Sequence, residues 1–230
     1  MVNSEIEYRY ELKYIITRQV ADYLKYELGM LMPRDAHSIS KEYSYLIRSI
    51  YFDNLDNDAY FEKVDGIEIR KKYRLRMYNN DKSFLRLECK HKDGNMTYKE
   101  DSSITYEDAL KILDGDYWDV ETEDEFLNRF LTEAKMKNLK PSVIVEYKRN
   151  AFVYPLSEVR ITFDEELKSG RFSDDFFNED IPTVPLYPQD QMVLEVKCNE
   201  YIPEHILSIF TNVPMLRQAV SKFALCTEVK

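Results

Sequence analysis

The stretch Arg70-Lys-Lys-Tyr-Arg-Leu-Arg-Met-Tyr78 alternates charged and apolar residues, and so does Leu85-Arg-Leu-Glu-Cys-Lys-His-Lys92 after a short break. Because successive residues of a β-strand point to opposite faces of a sheet, both stretches predict strands with one apolar and one charged face. The first stretch places four bases on one face: Arg70, Lys72, Arg74 and Arg76. Such neighbours repel one another unless carboxylates or a bound anion neutralise them. The two strands therefore predict a sheet with a strongly basic face.

The same two-residue period predicts eight strands in all, at about 6–15, 45–53, 69–79, 83–92, 96–104, 142–153, 158–164 and 191–199. Helical patterns cover about 18–31, 54–64, 106–114, 123–137, a short segment after Pro203, and 213–227. Asp93-Gly94-Asn95 predicts a hairpin turn, and 171–190 is expected to be a loop. Strands joined mostly by short loops, with helices gathered near the ends, favour an α+β fold with an antiparallel sheet or barrel. No repeat or linker interrupts the chain, so we expect one domain over residues 1–230.

The composition excludes several classes of protein. Only five glycines occur, none in a GxxxxGK[ST] or GxGxxG pattern, which excludes a P-loop or Rossmann nucleotide site. The three cysteines, Cys89, Cys198 and Cys226, lack metal-site spacing and leave one over, so we expect a reducing compartment. No run approaches the roughly 18 apolar residues of a membrane span, and the polar N-terminus is not typical of a signal peptide. We therefore expect a cytoplasmic protein with no membrane span of its own.

The charge is unevenly placed along the chain. The net charge is −10, which argues against a nucleic-acid partner if the charges are evenly spread. A Glu-x-Lys step recurs on predicted strands, as Glu11-Leu-Lys13, Glu88-Cys-Lys90 and Glu195-Val-Lys197. If twelve lysines and arginines and four carboxylates of the charged strand faces share one cavity, that cavity carries a charge of +8 and the rest of the chain carries −18. A basic interior with a few carboxylates suits a metal-chelated phosphate chain. The alternative is that each charged face is the solvent side of a half-buried strand.

These residues also carry a family resemblance. The chain resembles the VTC domain, the polyphosphate polymerase branch of the triphosphate tunnel metalloenzymes (the CYTH-like superfamily). The resemblance covers nearly the whole chain, from residue 9 to residue 223. The matching stretches occur in family order: Arg9-Tyr-Glu-Leu-Lys-Tyr14, Ser49-Ile-Tyr-Phe-Asp53, Arg70-Lys-Lys-Tyr-Arg-Leu-Arg76, Leu87-Glu-Cys-Lys90, Glu146-Tyr-Lys-Arg-Asn-Ala-Phe152, Val159-Arg-Ile-Thr-Phe-Asp164, Leu194-Glu-Val-Lys197 and Ser221-Lys-Phe223.

The resemblance implies an eight-stranded antiparallel β-barrel that forms a basic tunnel, with helices packed at its ends and outside. The residues expected to be catalytic are Lys13, Arg74, Arg76, Lys90, Arg149, Arg160 and Lys197. Further phosphate contacts are expected from Arg70, Lys72, Lys99, Tyr147, Ser221 and Lys222. Glu195 is the expected metal ligand, with Glu11 and Glu88 as further candidates. The first strand reads Arg9-Tyr-Glu-Leu-Lys13 where the wider superfamily has Glu-x-Glu-x-Lys, which moves the expected metal site towards Glu195.

The implied function is transfer of the γ-phosphoryl group of ATP to a growing polyphosphate chain, with Mn²⁺ or Mg²⁺ bound. Such chemistry depends mainly on positioning and charge neutralisation. Two other functions stay open. One is a hydrolase acting on inorganic triphosphate or a nucleotide in the same tunnel, with water activated by the metal or by a carboxylate, for which Glu11 or Glu88 could serve. The other is a non-catalytic polyphosphate-binding module, for which the three Glu-x-Lys steps have no use. The oligomeric state and a membrane-protein partner that receives the product also stay open.

Overall fold

The computed structural model describes residues 10–38, 44–94, 96–171, 175–199, 201–211 and 213–229. Within them the chain forms nine strands and six helices. The strands are β1 (Tyr10–Thr17), β2 (Ser44–Asp53), β3 (Ile69–Tyr78), β4 (Leu85–Asp93), β5 (Met96–Ile104), β6 (Lys140–Tyr154), β7 (Val159–Ser169), β8 (Val184–Pro185) and β9 (Gln191–Cys198). The helices are α1 (Arg18–Leu31), α2 (Asp58–Val64), α3 (Tyr106–Asp114), α4 (Glu125–Lys137), α5 (Glu204–Thr211) and α6 (Lys222–Thr227).

All nine strands belong to one sheet with the order β1-β9-β7-β6-β2-β3-β4-β5, and β8 pairs with β7. Every ladder is antiparallel. The sheet curls so far that side chains near its two edges meet. Lys90 Nζ on β4 lies 2.5 Å from Glu11 Oε1 on β1. The α+β class and the antiparallel sheet are thus confirmed. The eight-stranded closed barrel is not: no ladder joins β5 to β1 among the described residues, and side-chain contacts span that gap instead.

The apolar strand faces point outward and are covered by helices. Leu75 and Leu87 pack with Phe130 of α4 in one buried cluster, and α1 and α5 cover β7 and β9 in a second. α6 packs on the inner side of the sheet, where Phe223 is buried against residues of β2 and β6. Burying apolar faces against helices stabilises the sheet and leaves the charged faces of several strands directed towards the interior.

Local capping explains where the helices begin. The side chain of Thr17 accepts from Val20 N at the start of α1, and Thr105 accepts from Asp108 N at the start of α3. At α4 the cap is Asp124, which accepts from Leu127 N, so that helix begins two residues later than expected. No described helix has the length and apolarity needed to cross a membrane.

The predicted helix over 213–227 is wrong in its first half. Arg217 forms a β-bridge with Tyr14, and Gln218 N donates to Lys13 O, so the segment before Ser221 follows β1 as extended chain. The helix begins only at Lys222, where Ser221 accepts from Ala224 N. Pairing with an edge strand here outweighs local helical pattern. β8, inside the expected loop 171–190, is a further difference. Residues 6–9 of the predicted first strand and Asn95 of the predicted turn lie outside the described residues.

Candidate active site

The charged strand faces line one cavity of about 1770 Å³. Its walls contain sixteen lysines and arginines but only six carboxylates, a formal charge of +10. Since the whole chain carries −10, the remainder carries −20. Every residue assigned to the site from the sequence lines this cavity: Lys13, Arg70, Lys72, Arg74, Arg76, Lys90, Lys99, Tyr147, Arg149, Arg160, Lys197, Ser221, Lys222, Glu11, Glu88 and Glu195. The structure therefore brings the whole predicted set together in one cavity.

Two carboxylates and three lysines meet where β1 and β9 pair. The register places Lys13 opposite Glu195 and Glu11 opposite Lys197. Lys13 Nζ lies 3.6 Å from both Glu11 Oε2 and Glu195 Oε1. Burial and the adjacent Glu195 would raise the pKa of Glu11, but Lys90, Lys197 and Lys13 together hold it below its usual value. The alternation of β1 and β9 thus produces a mixed-charge cluster in which both carboxylates stay ionised.

Glu88 on β4 is enclosed by cations. Arg74 Nε donates to its Oε2 at 2.6 Å, Lys99 Nζ lies 3.1 Å from its Oε1, and Arg76 Nη1 lies 3.5 Å away. Burial would raise the pKa of Glu88, but these three bases hold it well below the usual range. Its oxygens are therefore already engaged, and so are those of Glu11, which lie 2.5 and 2.6 Å from Lys90 Nζ. The nearest cation of the described residues to Glu195 is 3.6 Å away, so Glu195 is the better candidate for a metal.

Arg149 is fixed by a carboxylate behind the cavity wall. Asp164, which is fully buried, accepts from Arg149 Nε and Nη2 at 2.7 and 2.8 Å and lies 2.6 Å from Lys222 Nζ. Burial raises and Arg149 and Lys222 lower the pKa of Asp164, leaving it at about 2. Such a bidentate pair orients the guanidinium. Glu146 and Lys148, the charged residues on the other face of β6, pair outside the cavity with Arg48 and Glu166 respectively.

Hydroxyl groups also orient the arginines. Arg74 Nη1 donates to Tyr51 OH at 3.0 Å, and Arg160 Nη2 donates to Tyr45 OH at 3.1 Å. Arg76 Nε donates to Ser49 Oγ at 3.1 Å. The roles of Tyr45, Ser49 and Tyr51 were not predicted from the sequence. Their shared odd parity along β2 is the signal that would have placed them on one face.

Five bases of the cavity wall form no ion pair with a carboxylate of the described residues. One is Arg217, and the other four lie together at one end of β3 and β4: Lys63, Arg70, Lys72 and Lys92. Burial, then repulsion from Lys90, Lys13 and other bases, lowers the pKa of Lys72 well below its usual value. Burial and neighbouring Arg70 likewise lower the pKa of both Lys63 and Lys92. Lys63 and Lys92 were not among the predicted site residues. At this end of the cavity, no ion pair within the described residues neutralises the positive charge.

The donor set fits a hard divalent cation only in part. Mg²⁺ and Mn²⁺ prefer carboxylate oxygens, which Glu11 and Glu195 supply within one cluster. Across the described ranges, no group of three or more His, Cys, Asp and Glu side chains is placed to hold a metal ion. A metal here would therefore take its other ligands from phosphate oxygens or water.

By its fold and its cavity, the chain is an α+β protein whose antiparallel sheet curls around a basic cavity. The family model of the VTC domain matches residues 8–229, so the chain belongs to the VTC domain family. No curated protein matches the chain significantly.

Solved structures share this fold at low sequence identity. One is a candidate adenylate cyclase from Bacillus halodurans, with 16% identity and a TM-score of 0.51 over 90% of this chain and 86% of that one. Another is a candidate adenylate cyclase from Vibrio parahaemolyticus, with 12% identity and a TM-score of 0.52 over 96% of this chain and 98% of that one. At these identities the likeness establishes the fold alone.

Proposed function

We propose that the protein is a polyphosphate polymerase that transfers the γ-phosphoryl group of ATP to the end of a growing polyphosphate chain. The reaction would take place in the basic cavity, as a tunnel open at both ends of the curled sheet. The observation that carries this proposal is the register of β3 and β4. It places bases directly opposite one another three times: Arg70 with Lys92, Lys72 with Lys90, and Arg76 with Arg86. Facing like charges destabilise a sheet, so their convergence on one cavity favours an extended polyanion as the ligand.

The arginines suit phosphoryl transfer because they are oriented before any ligand binds. Arg74 is held by Glu88 and Tyr51, and Arg149 is held by Asp164. Groups fixed in advance stabilise transition-state charge without reorganisation, which is the main requirement of phosphoryl transfer. Lys13 and Lys197 would neutralise the phosphate oxygens beside them.

Mn²⁺ or Mg²⁺ would be held by Glu11 and Glu195, together with phosphate oxygens. When bound, such an ion neutralises phosphate charge and helps to align the reacting groups. Metal binding at Glu11 would require Lys90, whose Nζ lies 2.5 Å from Glu11 Oε1, to move from that carboxylate to the phosphate oxygens.

The state of the carboxylates favours a phosphate acceptor over water. A general base works best when its pKa is near the working pH. The pKa values of Glu11, Glu88 and Glu195 are all lowered by the surrounding bases against the effect of burial. An ionised terminal phosphate needs no base, whereas a water nucleophile needs a base or a metal ion to activate it. The lowered pKa values therefore favour chain synthesis over hydrolysis that uses one of these carboxylates as the base.

Incubation with ATP and Mn²⁺, followed by ³¹P NMR, tests the proposal. Signals of internal chain phosphates are expected. Free phosphate alone would identify a hydrolase, and no turnover would identify a binding module; either result rejects the proposal. Arg149→Gln should be inactive, whereas Lys148→Gln, one residue along β6 on its outer face, should retain wild-type turnover.

A further inference from the structure

The lining of the cavity changes character at the turn between β3 and β4. Three side chains with aromatic rings line the cavity there: Tyr78 at the end of β3, Phe84 just before β4, and His37 in the segment after α1. The Tyr78 ring lies 5.9 Å from that of Phe84 and 6.4 Å from that of His37, with the latter pair nearly parallel at 19°. These separations lie towards the upper end of the range for interacting rings, about 4.5–7 Å. Phe84 is 46% exposed. We call these three residues the aromatic mouth.

The bases of β3 and β4 that form no ion pair within the described residues lie towards the opposite ends of these strands. Arg70 and Tyr78 are separated by eight residues of β3, a span of about 26 Å. Lys92 faces Arg70 across the ladder, and Lys63 lies nearby on α2. We call Lys63, Arg70 and Lys92 the cationic mouth. The oriented arginines Arg74 and Arg76 lie between the two mouths on β3.

We propose that the aromatic mouth binds the nucleoside of the phosphoryl donor, so that the phosphate chain extends from there to the cationic mouth. This inference rests on the proposed function and adds to it a direction and a nucleobase subsite. A nucleoside triphosphate has a planar base at one end and only anionic phosphates at the other. The cavity has the matching asymmetry: Tyr98 also lines it near the cationic mouth, but its ring is already stacked on His91, with centroids 4.2 Å apart.

The chemistry of the aromatic mouth predicts weak selectivity among bases. Stacking on side-chain rings is tolerant of base identity, because every base has a π-face. The cation of Arg76 also lies 5.9 Å from the Tyr78 ring, which places positive charge where the first phosphate of a stacked nucleotide would begin. Other purine nucleoside triphosphates should therefore bind much as ATP does.

Binding of two probes, ATP and inorganic triphosphate, tests the subsite. Calorimetry without divalent metal measures the binding affinity of each probe under conditions in which the proposed phosphoryl transfer does not proceed. Phe84→Leu and Tyr78→Leu should each weaken ATP binding by about 5- to 150-fold, the range for losing one base–aromatic stack. Both should leave inorganic triphosphate within about twofold, because it has no base. Trp118→Leu, an 81% exposed ring outside the cavity, is the matched control and should change neither.

The direction has its own test at the other mouth. Lys92→Gln should weaken binding of long-chain polyphosphate more than binding of ATP, because ATP's phosphates would end before this mouth. Equal loss for ATP and inorganic triphosphate in the Phe84 and Tyr78 variants, or no loss for ATP, would overturn the subsite. A greater loss for ATP in Lys92→Gln would reverse the direction. None of these readouts requires turnover, so a protein that binds as expected but makes no polyphosphate would reject only the proposed function.

Discussion

Asp164→Asn should destabilise the protein strongly, because Asp164 is the closest carboxylate to two buried bases, and the other described partner of Arg149, Glu195, is 3.8 Å away. The substitution removes two charge-assisted hydrogen bonds from Arg149, at 2.7 and 2.8 Å, and an ion pair with Lys222 at 2.6 Å. Removing one partner of a buried ion pair costs about 3–5 kcal/mol. For a chain of this length, that corresponds to a fall in melting temperature of about 6–20 °C.

The pH dependence gives the same prediction an independent measurement. The pKa of Asp164 is about 2, lowered from the usual 3.8 mainly by Arg149 and Lys222 against the effect of burial. A carboxyl with a lowered folded-state pKa stabilises the protein above its unfolded pKa, and that stability is lost as the pH falls towards the folded value. The shift corresponds to about 2 kcal/mol. The stability difference between wild type and Asp164→Asn should therefore shrink as the pH falls from about 4 towards 2.

Chemical denaturation at several pH values, with circular dichroism, measures both effects. Asp22→Asn is the control: Asp22 is exposed on α1 and does not line the cavity, and its substitution should have little effect at any of these pH values. A loss below about 1 kcal/mol in Asp164→Asn, the size expected of an exposed ion pair, would refute the view that Asp164 holds Arg149 and Lys222 in place.

Three further predictions concern the cavity. Arg74→Ala should lower turnover by about 10²-fold or more with little change in the melting temperature of the free protein, because Glu88 keeps two other bases; a clear fall in stability with activity retained would make Arg74 structural. Glu195→Gln should shift the Mn²⁺ dependence of turnover to higher concentration, and overlapping metal curves would move the metal site to Glu11. Binding of inorganic triphosphate should take up protons at a pH below the usual titration range of lysine, because burial and neighbouring bases lower the pKa of Lys72 in the empty cavity and an anion would raise it again. Calorimetry in buffers of different ionisation enthalpy checks this; no proton uptake, or uptake unchanged in Lys72→Met, would contradict it.

The sequence predicted the two faces of most strands but not the contacts between strands. Alternation alone placed Arg74, Arg76 and Lys90 on charged faces, because side-chain direction in a strand has a fixed period. The contact between Lys90 and Glu11 depends on how far the sheet curls, which no local pattern encodes. The same holds for Asp164, whose buried role follows from Arg149 on a neighbouring strand and Lys222 on a distant helix.

The error at residues 213–221 has a related origin. Local propensity competed there with pairing to β1, and the partner lies about 200 residues earlier in the chain. Single-sequence patterns report local preferences and therefore miss structure imposed by remote strands. Pro214 and the short apolar runs of this segment did not indicate that it would pair with the edge of β1.

The pairing of β1 with both β9 and the segment before Ser221 has a consequence for how the protein folds. Lys13 Nζ donates to Val220 O across 207 positions of sequence, so the cavity is closed by some of the most distant contacts in the chain. Closing such long loops is entropically expensive and slow compared with forming hairpins such as β3–β4. During refolding, the hairpins and helices should therefore form first, and anion binding should be recovered last. A nascent or partly refolded chain would carry an unshielded basic strand face, which nonspecific polyanions would then bind.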